Sequence, residues 1–559
     1  MTRKLLIVGG VAGGATAAAR ARRIDEHADI ILIERGAFVS FANCGLPYYI
    51  GGVIENRDDL FVTTPEMLRD RYRIDVRTLS AVTAIDRKNR KLAIEEVKTG
   101  RCYEESYDYL ILSPGAEPVR PPIPGVDLDS VLTLRNIPDS DRIKEILDLE
   151  KPDTALVVGG GFIGLEMAEN LAGRSVKTTI VEMAEQVMPP LDPEMARIVQ
   201  AHLAEKGITV KLNTRAESFF RYEQRTAVST DRGETLECDL VILSIGVKPE
   251  NDLARQAGLE IDENGGIRVD AGMRTSDPRI YAIGDAAAVT DLVTGMPTLP
   301  LLAGPANKQG RIAADNAMGR RSVFKGTLGS AIVQIFGLSA ASTGAGEKTL
   351  IRENRPYLTS YTHSGSHAAY YPGAEMMSVK LLFTPGTGRL LGAQIIGGKG
   401  VDKRIDVLAA ALKGGMTVYD LEELELAYAP PYSSAKDPVN IAGFVASNLL
   451  KGDLEIIHWK EIGEMNAEKT VLVDLRNTEE LESEGRIDGA IHIPLETLRT
   501  RVAELDRRKT YLLFCAVGLR GYIGYRILVQ NGFTVKNLSG GYLTYRVSKE
   551  KVKLPGFRA

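Results

Sequence analysis

Four cysteines occur in the 559 residues, and two stand where a thiol could do chemistry. Cys44 lies in Ser40-Phe41-Ala42-Asn43-Cys44-Gly45-Leu46-Pro47-Tyr48-Tyr49, 30 residues after Gly14 and ten after Glu34, and the next cysteine is Cys102. A Cys-x4-Cys dithiol is therefore excluded. A redox thiol in this place must pair with something brought to it: a small thiol, a persulfide sulfur or oxygen. The thiolate is the nucleophile in such exchange, so reactivity follows pKa and access. Cys515 opens Cys515-Ala516-Val517-Gly518-Leu519-Arg520, placed between a strand-like Tyr511-Leu512-Leu513-Phe514 and a helix. A cysteine at a strand end, followed by a short loop and a helix N-terminus, meets a nest of backbone N–H groups that stabilises an anionic sulfur. Cys102 and Cys238 sit in or beside strand-like segments without basic neighbours and read as structural.

Two glycine loops supply the frame for Cys44. The apolar run Leu5-Leu6-Ile7-Val8 leads into Gly9-Gly10-Val11-Ala12-Gly13-Gly14 and an alanine-rich helix, and Ile30-Ile31-Leu32-Ile33-Glu34 ends a second strand 20 residues beyond Gly14. A tight turn, a helix N-terminus for a pyrophosphate and an acid for a ribose hydroxyl occur in that order, although Val11 replaces the middle glycine. A second copy has all three glycines: Ala155-Leu156-Val157-Val158, then Gly159-Gly160-Gly161-Phe162-Ile163-Gly164, then Glu182 at a strand end 18 residues on. Two such loops in one chain imply two dinucleotides facing each other, a flavin and a nicotinamide. Glu182 is followed by Met183-Ala184, with no arginine, so its carboxylate favours NADH over NADPH. Return strands end at Gly115 and Gly246, and Arg279-Ile280-Tyr281-Ala282-Ile283-Gly284-Asp285 brings a carboxylate to where a ribityl hydroxyl could bind.

Composition narrows the class. A chain of this length exceeds one core and predicts three or four domains. With 44% hydrophobic and 25% charged residues it reads as ordinary globular protein, and a net charge of −4 carries no footprint for nucleic acid. Four cysteines make no disulfide framework and point to a reducing compartment. No apolar run approaches the roughly 18 residues of a spanning helix. The basic start and apolar run mimic a signal peptide, but glycines 9, 10, 13 and 14 break its core, so a cytoplasmic location is expected. His363 and His367 have no cysteine or acid cluster beside them, so no metal site is expected.

Taken together, residues 1–450 resemble the flavin disulfide reductases with two dinucleotide folds, and the segment from Ser40 to Tyr49 is most similar to the coenzyme A-disulfide reductase branch. The resemblance implies one cysteine cycling between thiolate and mixed disulfide. The sister branch, NADH oxidases and peroxidases, carries a histidine in the first loop where this chain has Ala12. For FAD and NADH it implies a binding set of Gly9, Gly10, Val11, Ala12, Gly13, Gly14, Glu34, Arg35, Asn43, Gly115, Gly159, Gly161, Phe162, Ile163, Gly164, Glu182, Gly246, Gly284 and Asp285. Arg20, Arg23 and Ser40 are the coenzyme A contacts it suggests. It further implies a homodimer in which Tyr370 and Tyr428 of one subunit lie over Cys44 of the other, with Tyr371 and Tyr432 as register alternatives. Residues 460–555 resemble a single rhodanese domain with Cys515 as sulfur carrier and Arg520 closing the loop. Phosphatases of similar build have one more residue between Cys and Arg, so the shorter loop suits a sulfur-sized anion. Arg486 stands where that family usually has histidine.

The expected architecture is α/β: two Rossmann-like dinucleotide-binding domains, an α+β dimerisation domain and a C-terminal α/β rhodanese domain. The segments are 1–115 and 247–325 for FAD, 116–246 for NAD, 326–450 for dimerisation, 451–460 as linker and 461–559 for the rhodanese. The whole is similar to reductase–rhodanese fusions of the NADH-dependent persulfide reductase type, acting on small-molecule thiols, persulfides, polysulfide or coenzyme A disulfide, with no nucleic acid or membrane partner. Two other readings remain open at this point. One is an NADH oxidase or peroxidase cycling Cys44 through sulfenic acid. The other is a sulfur or redox sensor that uses the rhodanese domain for docking.

Overall fold

The computed structural model describes residues 3–466 and 468–549. They form two compact units, one made of 3–185 and 208–329, the other of 186–207 and the described residues from 330 to 549.

The first unit holds two five-stranded parallel sheets. Strands of continuous Leu, Ile and Val need helices on both faces, which crossover connections between parallel strands supply. In one sheet the order is Ile280–Ala282, Tyr109–Leu112, Lys4–Val8, Asp29–Ile33, Asp75–Arg77. The central strand is sealed, with Leu5, Leu6 and Ile7 at 0% exposure. The helix Ala12–Ile24 is alanine- and glycine-rich because Ala303–Ala317 packs hard against it: a Cβ on Gly310 would lie 2.4 Å from the Gly13 carbonyl oxygen. The second sheet repeats the pattern, in the order Thr209–Lys211, Lys177–Val181, Thr154–Val158, Leu240–Leu243, Val131–Leu132.

The second unit contains a five-stranded antiparallel sheet, ordered Ala331–Ile335, Leu338–Gly344, Leu390–Gly397, Met376–Phe383, Leu358–Gly365, backed by the helices Val401–Gly414 and Pro438–Leu450. Its C-terminal part is a five-stranded parallel sheet ordered Ile456–Ile457, Thr534–Leu538, Thr510–Phe514, Thr470–Asp474, Ile491–His492. The expected classes are thus present: two Rossmann-like domains, an α+β domain and a C-terminal α/β domain.

The segment 186–207 lies in sequence between Lys177–Val181 and Thr209–Lys211 of the second sheet, and it packs with the second unit. A buried ion-pair cluster ties it there: Lys380, at 0% exposure, has its ammonium 2.7 Å from Asp192 and 2.6 Å from Glu347, and it also bonds Glu194. Tyr361 donates its hydroxyl to the same Glu194 at 2.6 Å. Among the described residues, Asp192, Glu194 and Glu347 form the one cluster of three carboxylates with metal-like spacing, and the lysine sits in it.

The same unit joins its two sheets through buried polar contacts. His363 hydrogen-bonds Ser378 Oγ at 2.9 Å and Thr544 Oγ1 at 2.7 Å, and Tyr361 N donates to Ser539 Oγ at 3.2 Å. Burial pushes the His363 imidazole down to about 4, so the folded ring stays neutral. An unfolded histidine takes its proton near 6.5, so the contribution of this ring is complete above that pH and is lost as pH falls toward 4. The slope is at most about 1.4 kcal/mol per pH unit. Denaturation midpoints followed by Trp459 fluorescence between pH 4.5 and 7.5 should show this fall, and His363→Gln should flatten it.

Candidate active sites

The two glycine loops are built alike. Gly9 (φ +93°) and Gly159 (φ +111°) adopt backbone that side chains rarely take, and a Cβ on Gly14 or Gly164 would lie 1.8 or 2.0 Å from the carbonyl oxygen of that first glycine. Glu34 accepts from Gly10 N at 2.8 Å and Gly36 N at 2.7 Å, while Glu182 accepts from Gly160 N at 2.6 Å and Ala184 N at 2.7 Å. Each acid therefore fixes its own glycine loop as well as standing at the strand end where a ribose would lie. That double duty is not evident from the sequence. A Cβ on Gly161 would meet nothing within 4 Å, which leaves its backbone open to close approach.

Cys44 sits in a short 3-10 turn, Asn43–Gly45, and is exposed. The Ser40 amide bonds the Gly10 carbonyl at 2.9 Å, tying this segment to the first glycine loop. Though exposed, the thiol is held above its ordinary range. Desolvation, then the Glu166 and Asp285 carboxylates, push it up, and Arg135 opposes them. Glu166 is itself raised to about 7, chiefly by burial, and accepts a long 3.4 Å hydrogen bond from the Tyr48 hydroxyl. A carboxyl raised toward neutrality by burial acts on this thiol through its charge, so its protonation state bears on the thiol. Asp285 pairs with Arg135 at 3.4 Å. Neither Arg135 nor the Tyr48–Glu166 pair was singled out from sequence, because each joins residues far apart in the chain.

The other expected contacts divide. Arg35 is exposed and bonds Glu250 at 2.6 Å. Arg20, an expected coenzyme A contact, donates its Nε to Asp315 at 2.7 Å, with both side chains largely buried, and so clamps two helices. Arg23 stays exposed at the end of the same helix. Cys238 is buried and pushed up to about 12 by desolvation, an inert thiol, whereas Cys102 is exposed at the start of the Cys102–Ser106 strand.

The residues present fit a flavin. Among the described residues, the buried atoms Asn43 Oδ1 and Gln309 Nε2 have no hydrogen-bond partner. Gln309 is fully buried beside Gly284, whose N–H it accepts at 2.7 Å, next to Asp285. Buried polar atoms carry a cost unless something pairs with them. Here they lie beside the expected thiol and the expected ribityl acid.

In the second unit the Tyr370 and Tyr428 hydroxyls are 2.5 Å apart, and the rings are 74% and 47% exposed. Tyr371 instead packs edge-on against His367, and Tyr432 stands apart from this pair, 72% exposed. Arg404, 1% exposed, binds the two tyrosine-bearing loops together through the Ser366 and Tyr432 carbonyls, Ser433 and Asp437.

Cys515 ends the Thr510–Phe514 strand at 1% exposure, and Gly518 (φ +107°) turns its N–H onto the Cys515 sulfur at 3.2 Å. The helix Gly541–Lys549 straps the loop, with Tyr542 N on the Cys515 carbonyl at 2.8 Å and Leu543 N on Ala516 at 2.9 Å. A Cβ on Gly541 would lie 2.5 Å from the Cys515 carbonyl oxygen, so only glycine fits.

Comparison with known proteins agrees with this geometry. Residues 3–310 match the pyridine nucleotide-disulphide oxidoreductase family, residues 330–438 its dimerisation domain and residues 460–547 the rhodanese-like domain. The chain is 36% identical over 448 residues to the coenzyme A disulfide reductase of Staphylococcus haemolyticus, covering 80% of this chain and all of that one. It is similar throughout to reduced CoADR-RHD of Bacillus anthracis (TM-score 0.96, 47% identity, 98% of each chain). It is also similar to the NAD-dependent persulfide reductase of A. fulgidus (TM-score 0.90, 39% identity, 97% of this chain and 99% of that one). Among the described residues no helix is long and apolar enough to cross a membrane.

Proposed function

Because this chain belongs to the pyridine nucleotide-disulphide oxidoreductase family and carries a rhodanese-like domain, we propose that it is an NADH-dependent flavoprotein reductase of sulfur–sulfur bonds. Its substrates are coenzyme A persulfide, polysulfide or coenzyme A disulfide. The observation that carries this reading is that Cys44 is exposed and has no cysteine partner, all four cysteines being free. A lone thiol must take its second sulfur from the substrate.

The glycine loop 9–14, Glu34, Asn43, Gln309 and Asp285 hold FAD, and the loop 159–164 with Glu182 holds NADH. FAD supplies the two-electron relay between NADH and the sulfur bound at Cys44. The chain's own part begins with the Cys44 thiol giving its proton toward Glu166. Its Sγ attacks the sulfane sulfur of the persulfide, the sulfur–sulfur bond to the carrier breaks, and the carrier thiolate leaves with that electron pair. Reduction of the resulting Cys44 persulfide by the NADH electron pair restores the thiolate and releases hydrosulfide. Glu166, titrating near 7, returns the proton. Tyr370 and Tyr428 cover the site from the second subunit of a homodimer, where two paired hydroxyls can donate to the departing sulfur. Cys515 carries sulfane sulfur on the same chain, which raises its effective concentration at the reductase. The four free thiols suit a reducing compartment, which supports a cytoplasmic location.

NADH oxidation with coenzyme A persulfide or coenzyme A disulfide under anaerobic conditions, and with oxygen in a separate aerated assay, tests the reading. Rapid oxidation with persulfide and one hydrosulfide per NADH is expected. Comparable turnover with oxygen alone would assign the protein to the oxidases instead.

A further inference from the structure

We propose that Glu480 sets the donor specificity of the Cys515 loop, fixing Arg520 in a neutral pair so that the loop accepts singly charged sulfane-sulfur donors and rejects dianionic ones such as thiosulfate. The proposal rests on the reading of Cys515 as a sulfur carrier.

Arg520 is the sixth residue of the loop, where a free guanidinium would serve as an anion receptor. Here it is not free. Its Nη1 donates to Glu480 Oε2 and its Nη2 to Glu480 Oε1, both at 2.6 Å, a fork-to-fork pair with side chains only 25 and 26% exposed. Glu480 is held from its other side as well. Its Oε2 accepts from Asn477 N at 2.9 Å, the capping box of the helix Thr478–Glu484. Although burial alone would raise it, the Arg520 bond keeps this carboxyl below the ordinary range, so the pair is ionised and nearly neutral in sum. Arg520 also faces the Cys515 sulfur, which receives the Gly518 N–H at 3.2 Å. The cradle therefore offers backbone dipoles and an oriented guanidinium with little net positive charge. It can hold one anionic sulfur and gains little from a second charge.

The reaction it selects for is simple in its balance. The Cys515 thiolate attacks the sulfane sulfur of a persulfide anion, forming the new sulfur–sulfur bond. The donor's own sulfur–sulfur bond breaks, and its electron pair leaves on the donor thiolate. Thiosulfate would follow the same course and leave as sulfite, but it enters with two negative charges against the Glu480 carboxylate.

The test omits NADH, so that the reductase half does not contribute. Full-length wild type, Glu480→Gln and Glu480→Asp are assayed for thiocyanate formation from cyanide, with 2-hydroxyethyl persulfide, whose one charge lies on sulfur, or sodium thiosulfate as donor. Glutamine keeps an acceptor for Asn477 N and for one Arg520 N–H while removing the charge. In Glu480→Gln the ratio of kcat/KM for thiosulfate to that for the persulfide should rise about tenfold, mostly through the KM for thiosulfate, the scale of one extra unit charge acting over about 10 Å at an effective dielectric of about 20. Glu480→Asp should keep the wild-type ratio. The proposal is overturned if wild type uses both donors equally, if the ratio is unmoved in Glu480→Gln, or if both activities fall together as a structural role requires. Wild type that makes no thiocyanate from either donor refutes the Cys515 reading itself, a separate result.

Discussion

Cys44→Ser is expected to stop NADH-driven hydrosulfide release from coenzyme A persulfide, lowering turnover by about 10³-fold or more, the scale on which loss of a nucleophile acts. Serine keeps the size of the side chain and its place in the Asn43–Gly45 turn but cannot form a persulfide. Because the glycine loops, Glu34 and Glu182 are untouched, the flavin of the variant should still bleach when NADH is added under anaerobic conditions. That combination, an intact reductive half and a dead oxidative half, is what separates a lost nucleophile from a collapsed site. Cys515→Ser should behave in the opposite way. Given coenzyme A persulfide directly, its NADH oxidation should stay near wild type while thiocyanate formation disappears. Persulfide turnover that survives Cys44→Ser would remove the thiol from the mechanism and with it the proposed function.

The surroundings of Cys44 add a condition to that result. Burial, Glu166 and Asp285 all hold the thiol above its ordinary value, and Arg135 opposes them. A high thiol is a poor leaving proton but a strong nucleophile once ionised. The proposed acceptor of that proton is Glu166, whose carboxyl burial raises to about 7.

What the sequence reveals follows from how far the chemistry reaches along the chain. The glycine loops are legible because turn, pyrophosphate site and ribose acid fall within about thirty residues and obey local backbone rules. Cys44 and Cys515 are legible for a similar reason, since a lone thiol or a strand–loop–helix thiol declares itself in a single stretch. The partners that tune them are not. Arg135 meets Asp285 across 150 residues, Arg520 meets Glu480 across 40, and Arg404 meets Asp437 across 33. An arginine on a helix looks the same in sequence whether it is solvated or, as with Arg20, locked to Asp315. Residues 186–207 show the limit at domain scale. Their helix pattern says nothing of Lys380, 186 residues from Glu194, which binds them to the second unit.

That lysine gives the largest expected effect on stability. Lys380→Met should lower the stability of the second unit by about 3–5 kcal/mol, because it leaves buried carboxylates without their cation. Methionine fits the space of the lysine stem, so the loss measures charge more than packing. Glu194 is at 2% exposure and is held low only against a strong burial penalty, by Lys380 and by the Tyr361 hydroxyl. Without the ammonium that penalty returns. The chain has a single tryptophan, Trp459, which stacks with Arg197 from the 186–207 segment, so its fluorescence reports on this unit during denaturation. A charge origin makes a second demand. Glu194→Gln should destabilise the wild type yet recover at least about 1 kcal/mol in the Lys380→Met background, a sign reversal that a double-mutant cycle reads directly. If the two substitutions add without recovery, the cluster is held by packing, and the attachment of residues 186–207 to the second unit needs another cause. Recovery would instead show that one buried cation, supplied from a strand of the antiparallel sheet, decides which unit this stretch of the chain joins.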